Sequence, residues 1–203
     1  MDPKLLDRVE KVAYATAFAL LAFRMVAAYR NDGNPAVLFY VIDGSILLFF
    51  LLIRRSTENI SLRPMDWLSG FGATFLPLIV APPDRASAIL SPIPILVLMV
   101  AGTTLHLMAK VRLFRSFGIV AANRGVVHKG IYSLVRHPMY LGYMIVQSGL
   151  LLSGPNLVNL AIIAATWGLF ILRINAEERI LSEDPGYRDF MTRTRYRLLP
   201  GVY

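Results

Sequence analysis

Long apolar runs separated by short polar segments dominate the chain, and six of them predict transmembrane helices. The runs cover Val12–Tyr29, Ala36–Ile53, Trp67–Ala81, Ile89–Ala109, Pro138–Ser153 and Leu157–Leu172. The third run is short and contains Gly70, Gly72 and Pro77, so we expect it to be kinked or re-entrant. Because a span needs roughly 20 mostly apolar residues, the predicted fold class is an all-α, polytopic integral membrane protein with about six transmembrane helices.

The last two runs are predicted to form a helical hairpin, because Gly154-Pro155-Asn156 between them is a tight turn signal. At ~1.5 Å per residue both arms rise about 26 Å, so the residues before Pro138 and after Leu172 end at one depth. Those residues belong to two polar stretches, Val111–His137 and Arg173–Tyr203. We therefore divide the chain into four N-terminal spans, residues 1–110, and a functional core, residues 111–203.

The basic residues predict the orientation in the membrane. Of the 21 lysine and arginine residues, all but Arg24, Arg30 and Arg85 lie on alternate polar segments. The positive-inside rule then places both termini and the Lys110–His137 loop in the cytoplasm. The net charge of +8 is spread between apolar runs, which indicates contact with anionic membrane lipids and not with nucleic acid.

Composition narrows the chemistry further. Hydrophobic residues make up 56% of the 203 residues, and charged residues make up 17%. A soluble domain typically has about 25% charged residues. A soluble fold of this length could not bury all of the apolar surface of this chain. The absence of cysteine excludes disulfides, thiolate catalysis and cysteine metal sites.

The junction of the hairpin and the polar stretches is the place where charged groups could bind a ligand. Pro138 suits the first turn of a helix, whose free N–H groups attract anions, and Arg136 and His137 precede it. On the other arm, Arg173 and Glu177 are four residues apart and share a helix face, while Glu178 points about 100° away. This arrangement could bind a zwitterion, but the spacing is equally typical of an ordinary ion pair at a helix end.

A family resemblance rests on the residues of this junction. The run from Gly125 to Gly142, which ends in Arg136-His137-Pro138-Met139-Tyr140-Leu141-Gly142, resembles the isoprenylcysteine carboxyl methyltransferases and the related phospholipid methyltransferases. The tail strengthens the resemblance with Glu177-Glu178-Arg179-Ile180-Leu181, then Gly186-Tyr187, then Leu198-Leu199-Pro200.

The resemblance implies an S-adenosylmethionine-dependent membrane methyltransferase that acts on a lipidic acceptor, preferably a carboxylate, without a metal. It implies that the cofactor is enclosed by Arg124, Gly125, Val126, Val127, Tyr132, Arg136, His137, Pro138, Met139, Tyr140, Glu177 and Glu178. By the same resemblance Arg173 and Glu177 form the catalytic pair, in which Arg173 faces the substrate. Arg124 stands where relatives often have His, and Phe190 where many have Tyr.

Several alternatives stay open. The acceptor could be a phospholipid amine, or the protein could be a non-enzymatic membrane scaffold or permease subunit. A sterol-type reductase that uses NADPH carries a similar motif, but Met139 and Tyr143 replace its usual Asn and acid. The acceptor would enter sideways from the bilayer. The short, cysteine-free chain favours a prokaryotic cytoplasmic membrane as its location.

Arg24, Asp43 and His106 fall inside the apolar runs, where an unpaired charge is costly. Arg24 and Asp43 lie at similar predicted depths, so we expect them to form a structural ion pair. His106 lies near the cytoplasmic end of its run and is interpreted as a hydrogen-bonded interfacial residue and not as a catalytic base.

The predicted orientation can be tested with single cysteines, because the natural chain has none. Ser87→Cys and Asn156→Cys should react with a membrane-impermeant maleimide added outside intact cells, while Ser182→Cys should react only after the membrane is opened. Outside labelling at position 182 would refute the orientation.

Overall fold

The computed structural model is all-helical, as the apolar pattern predicts. It describes residues 3–54, 61–123 and 125–203, and these residues contain no β-strand. The helices are α1 (Pro3–Asp32), α2 (Ala36–Ile53), α3 (Pro64–Phe75), α4 (Pro92–Leu113), α5 (Pro138–Leu152), α6 (Leu157–Leu181) and α7 (Pro185–Arg193). Short 3₁₀ turns cover Leu76–Ile79, Arg85–Ser87, Phe114–Ser116 and Gly130–Ser133.

The lengths of the helices decide which of them can cross a membrane. Within the described ranges, four segments are long and apolar enough, namely Lys11–Asp32, Ala36–Ile53, Pro92–Ser116 and Leu157–Leu181. Helix α5 is apolar but has only 15 residues. Helix α3 has 12 residues and passes into a 3₁₀ turn that contains Pro77, so the third run is interrupted as expected.

Prolines and polar caps set the helix boundaries. Pro64, Pro92, Pro138 and Pro185 all stand in the first turn of a helix, where the missing N–H costs nothing. Helix α6 continues to Leu181, well beyond the predicted end at Leu172. The added residues include Ala, Glu and Arg, which are strong helix formers, so the polar segment stays helical after it leaves the apolar region.

Helices α4 and α5 pack at very short distance through two glycines. A Cβ atom on Gly102 would lie 2.8 Å from the carbonyl oxygen of Gly142, and a Cβ on Gly142 would lie 2.7 Å from the carbonyl oxygen of Gly102. Small residues at such crossings are typical of membrane helices, because close backbone approach gives the van der Waals contact that drives association in lipid.

The predicted pairing of Arg24 with Asp43 is wrong. Asp43 Oδ1 contacts His106 Nε2 across the α2–α4 interface. Arg24 is exposed, because the buried face of α1 is formed by other residues, Tyr14, Phe18, Leu21 and Met25. His106 is fully buried instead of interfacial, and its partner is a carboxylate.

Gly142→Ala should destabilise the protein because its methyl group would meet backbone atoms, including the amide nitrogen of His106 at 2.7 Å. We expect a loss of about 1–3 kcal/mol, as for other overpacked sites, measured by thermal unfolding in detergent. Gly168→Ala in α6 is the matched control, because its Cβ would meet nothing within 4 Å. The close packing would be refuted if the two variants unfolded at the same temperature.

Candidate active site

Most residues that the resemblance assigns to the cofactor line one cavity. It lies at the end of the helices that the positive-inside rule predicts to face the cytoplasm, and we call it the cytoplasmic cavity. The empty space within it, including the part that is open to solvent, is about 470 Å³. The assigned residues that line it are Gly125, Val126, Val127, Tyr132, Arg136, His137, Met139, Tyr140 and Glu177. Leu113, Leu181, Tyr187 and Phe190 line it as well. The Gly186-Tyr187 motif in the sequence could have indicated Tyr187 as a site residue, whereas no motif indicated Leu113.

Two of the assigned residues that the structure describes, Pro138 and Glu178, do not line this cavity. Arg124 lies outside the described residues. Pro138 starts α5, and its ring takes the place of a helix N–H group. Glu178 is buried behind the cavity wall, because it points away from Glu177 on the helix.

Glu178 is the centre of a buried cluster of charged hydrogen bonds. Its Oε1 accepts a 2.7 Å bond from Arg136 Nε and lies 3.1 Å from His137 Nε2. Its Oε2 accepts from Arg197 Nε at 2.9 Å and lies 2.7 Å from Arg197 Nη2. A carboxylate of the protein itself therefore engages the Arg136 and His137 side chains, which the sequence pattern offered to an anionic ligand.

The same cluster attaches the C-terminal segment to the start of α5. Arg136 Nη1 donates to the carbonyl oxygens of Thr194 at 2.9 Å and Arg195 at 2.7 Å. The backbone N–H groups of Arg136 and His137 donate to the carbonyls of Tyr196 and Arg197. The segment after α7 is thereby held beside the helix start whose residues line the cavity.

Electrostatics at the rim of the cavity follow from these contacts. Partial burial acts to lower the pKa of Arg197, but its hydrogen bonds and ion pair with Glu178 outweigh burial and raise the pKa. Burial, together with the nearby Glu178 and Glu177 carboxylates, raises the pKa of the Tyr187 hydroxyl. Burial and Glu177 also raise the pKa of Tyr132. Both tyrosines are therefore neutral at physiological pH and can donate hydrogen bonds.

The Tyr187 hydroxyl could donate a hydrogen bond to a ligand in the cytoplasmic cavity. It is buried, and no group in the described ranges forms a hydrogen bond with it. The Tyr132 hydroxyl, by contrast, donates to the Ala109 carbonyl at 3.4 Å. Since buried polar groups are nearly always paired, Tyr187 has a donor available for a bound molecule.

A second cavity, with an empty volume of about 540 Å³, lies within the helical bundle. Its wall is largely apolar and aromatic, with Leu21, Leu47, Ala73, Leu78, Phe117 and Phe170 among the lining residues. Arg173 and Asp43 are its charged lining residues among those described. An apolar chamber with a few charged groups suits an elongated lipid that has a polar end.

Arg173 and Glu177 form the boundary between the two cavities. Arg173 lines the cavity in the bundle, and Glu177 lines the cytoplasmic cavity. Arg173 Nε donates to Glu177 Oε1 at 3.2 Å, and Tyr140 donates its hydroxyl to the same oxygen at 2.5 Å. Arg173 also donates to the carbonyl oxygen of Gly118. One turn of α6 thus presents a cation to one chamber and an anion to the other.

Comparison with known proteins shows which family the region of this site resembles. Residues 95–183 match the model of the isoprenylcysteine carboxyl methyltransferase family. The resemblance to that family is confirmed. The matched residues run from α4 through the hairpin to the end of α6, so they include Arg136, Arg173, Glu177 and Glu178.

A solved structure shares the fold. The eukaryotic intramembrane Ras methyltransferase ICMT (isoprenylcysteine carboxyl methyltransferase) aligns over 93% of this chain and 75% of its own, with a TM-score of 0.53 and 20% sequence identity. The likeness therefore extends to the helices before residue 95, where the sequence shows no motif of the family. A search of curated proteins gives no match. The chain thus has the fold of a membrane methyltransferase.

The Glu178 cluster should control the stability of the C-terminal segment. Glu178→Gln removes the charge that balances the buried Arg136, and breaking a buried pair costs about 3–5 kcal/mol. We expect a lower unfolding temperature and faster amide exchange over residues 194–203, measured by mass spectrometry in detergent. Glu183→Gln, the same substitution at an exposed position just after α6, should change neither. Equal exchange in the two variants would contradict this role.

Proposed function

We propose that this protein is an S-adenosylmethionine-dependent membrane methyltransferase that methylates the carboxylate of a lipidic acceptor. The proposal rests on one observation. Arg173 and Glu177 are joined by a hydrogen bond, yet they line two different cavities. A methyl transfer between a polar cofactor and a lipid needs such an arrangement, because the two ligands must meet at one boundary.

The cytoplasmic cavity fits the cofactor. Its open polar groups are the unpartnered Tyr187 hydroxyl and the Glu177 carboxylate, which is 20% exposed. Glu177 would hold the ammonium or ribose hydroxyls, while Val126, Val127 and Met139 would contact apolar surface. When bound, the cofactor supplies a methyl group on a sulfonium sulfur. Tyr140 fixes Glu177 in place for this contact, since its hydroxyl bonds to the carboxylate.

The cavity in the bundle fits the acceptor, with its hydrocarbon chain among apolar side chains and its carboxylate beside Arg173. The guanidinium is fixed by bonds to Glu177 and Gly118, so it can orient the acceptor oxygen without reorganising. Transfer to a carboxylate forms one C–O bond as one S–C bond breaks and needs no base. It also cancels opposite charges, which a dry site favours.

An amine acceptor is the second candidate, because the Asp43 carboxylate lines the same cavity and could receive a cation. The match to a methyltransferase family favours both acceptors over the reductase reaction. We also retain the division at residue 110, with residues 111–203 as the methyltransferase core. The expected location is a prokaryotic cytoplasmic membrane with both termini inside.

The proposal is tested by calorimetry of the purified protein in detergent. The wild type should bind S-adenosylmethionine, and S-adenosylhomocysteine should compete. Glu177→Gln should weaken binding roughly 10- to 150-fold, the equivalent of one charge-assisted hydrogen bond. Arg173→Ala should leave cofactor binding near the wild-type value, because the Tyr140 hydroxyl still holds the Glu177 carboxylate. It should suppress methylation of a lipid carboxylate, because the contact to the acceptor is lost.

The control for helix-end stability is the unfolding temperature of both variants. If Arg173 and Glu177 were only an ion pair at a helix end, both variants would lose stability alike and neither would affect one ligand selectively. Equal loss of cofactor affinity in the two variants would show that the division of roles is wrong. Binding of NADPH without either adenosyl ligand would overturn the methyltransferase proposal.

A further inference from the structure

Three tyrosines line the cavity in the bundle, and their hydroxyls differ in whether they have a hydrogen-bond partner. Tyr14 donates to the Gly44 carbonyl at 3.3 Å, and Tyr40 donates to the Pro77 carbonyl at 3.1 Å. The hydroxyl of Tyr143 is buried, and it has no hydrogen-bond partner in the part of the chain that the structure describes. Tyr143 therefore brings an unused polar group to the cavity.

The other polar side chains of this cavity are already engaged. Thr74 donates to the Gly70 carbonyl at 2.8 Å, and the Gln147 side-chain oxygen accepts from Trp167 at 2.8 Å. Asp43 contacts His106, and Arg173 bonds Glu177 and Gly118. A ligand that binds in the cavity would thus give the Tyr143 hydroxyl its first hydrogen bond, whereas the other polar side chains already have a contact.

The ring of Tyr143 is held so that its hydroxyl cannot turn away to find a partner. His106 stacks against it with ring centroids 4.9 Å apart and an interplanar angle of 20°. Phe170 stacks against it as well, at 5.9 Å and 22°. An unpartnered buried hydroxyl costs stability, and a rigid ring prevents relaxation, so a bound ligand is the natural source of compensation.

The charges around Tyr143 indicate that the ligand group is an anion. Lys110 Nζ lies 4.7 Å from the centroid of the Tyr143 ring. A cation on the ring face draws electron density from the phenol, which makes its O–H a better donor and its oxygen a poorer acceptor. Arg173 lines the same cavity, and the one opposing carboxylate in the described lining, Asp43, is in contact with His106.

We infer that the Tyr143 hydroxyl donates a hydrogen bond to the carboxylate of the lipidic methyl acceptor. This inference rests on the proposed function. Tyr143 on α5 and Arg173 on α6 then hold the acceptor carboxylate from two helices. This determines which of the two carboxylate oxygens faces the cytoplasmic cavity. Tyr143 is thereby a residue that determines specificity for acids over amines.

The test measures initial rates of Tyr143→Phe and wild type with farnesylthiopropionic acid and S-adenosylmethionine in detergent micelles. The KM for the acid should rise roughly 10- to 150-fold, as for loss of a hydrogen bond to a charged group. Cofactor affinity should not change. The unfolding temperature should stay the same or rise, because the substitution removes an unpartnered buried hydroxyl and no existing bond.

Tyr40→Phe is the matched control, since its hydroxyl in the same cavity is already bonded to Pro77. It should lower the unfolding temperature and change the KM for the acid much less than Tyr143→Phe does. An unchanged KM in Tyr143→Phe would overturn the inference while leaving the proposed function standing.

A second probe, farnesylthiopropylamine, separates the remaining outcomes. If Tyr143→Phe weakens the acid and the amine equally, the hydroxyl does not select an anion and the inference is wrong. If the wild type binds the cofactor but methylates only the amine, the proposed acceptor fails, and the inference fails with it.

Discussion

The arrangement of the half that is predicted to face the cytoplasm depends on the buried carboxylate of Glu178. A buried charge is tolerated only when it is fully paired, and Glu178 meets this condition with Arg136, His137 and Arg197. These partners come from the start of α5 and from the C-terminal segment, so one side chain of α6 joins three parts of the chain. Without the cluster, the helix start and the tail that lie beside the cytoplasmic cavity would repel each other, because both are basic.

The neighbouring residue Glu177 has the opposite environment, although it differs from Glu178 by one position. A helix turns about 100° per residue, so Glu178 faces the tail while Glu177 faces the cavity. Arg173 lies one turn earlier on the same face as Glu177 and reaches the chamber in the bundle. Two consecutive acids thus have different surroundings, a cavity for Glu177 and a cluster of hydrogen bonds for Glu178, through helix geometry alone.

Polar groups deep among the helices require compensation, and this protein concentrates them beside the cavity in the bundle. Asp43, His106 and Lys110 come from α2 and α4 and surround Tyr143 of α5. Ionisable residues inside a membrane protein are costly and usually mark a functional site. The close α4–α5 crossing at Gly102 and Gly142 brings His106 next to Tyr143, so helix packing and the chemistry of the chamber are linked.

The sequence alone determined the membrane class, the hairpin and most of the residues that meet at the cytoplasmic cavity, because these follow from local periodicity, turn signals and short motifs. It also placed Arg173 and Glu177 on one face, which needs only helix geometry. Only the tertiary structure decided that Glu178 binds Arg136, that Asp43 contacts His106 instead of Arg24, and that Tyr143 has no partner. Each of these depends on which helix faces are in contact, and residues far apart in sequence leave no local signal of such contacts.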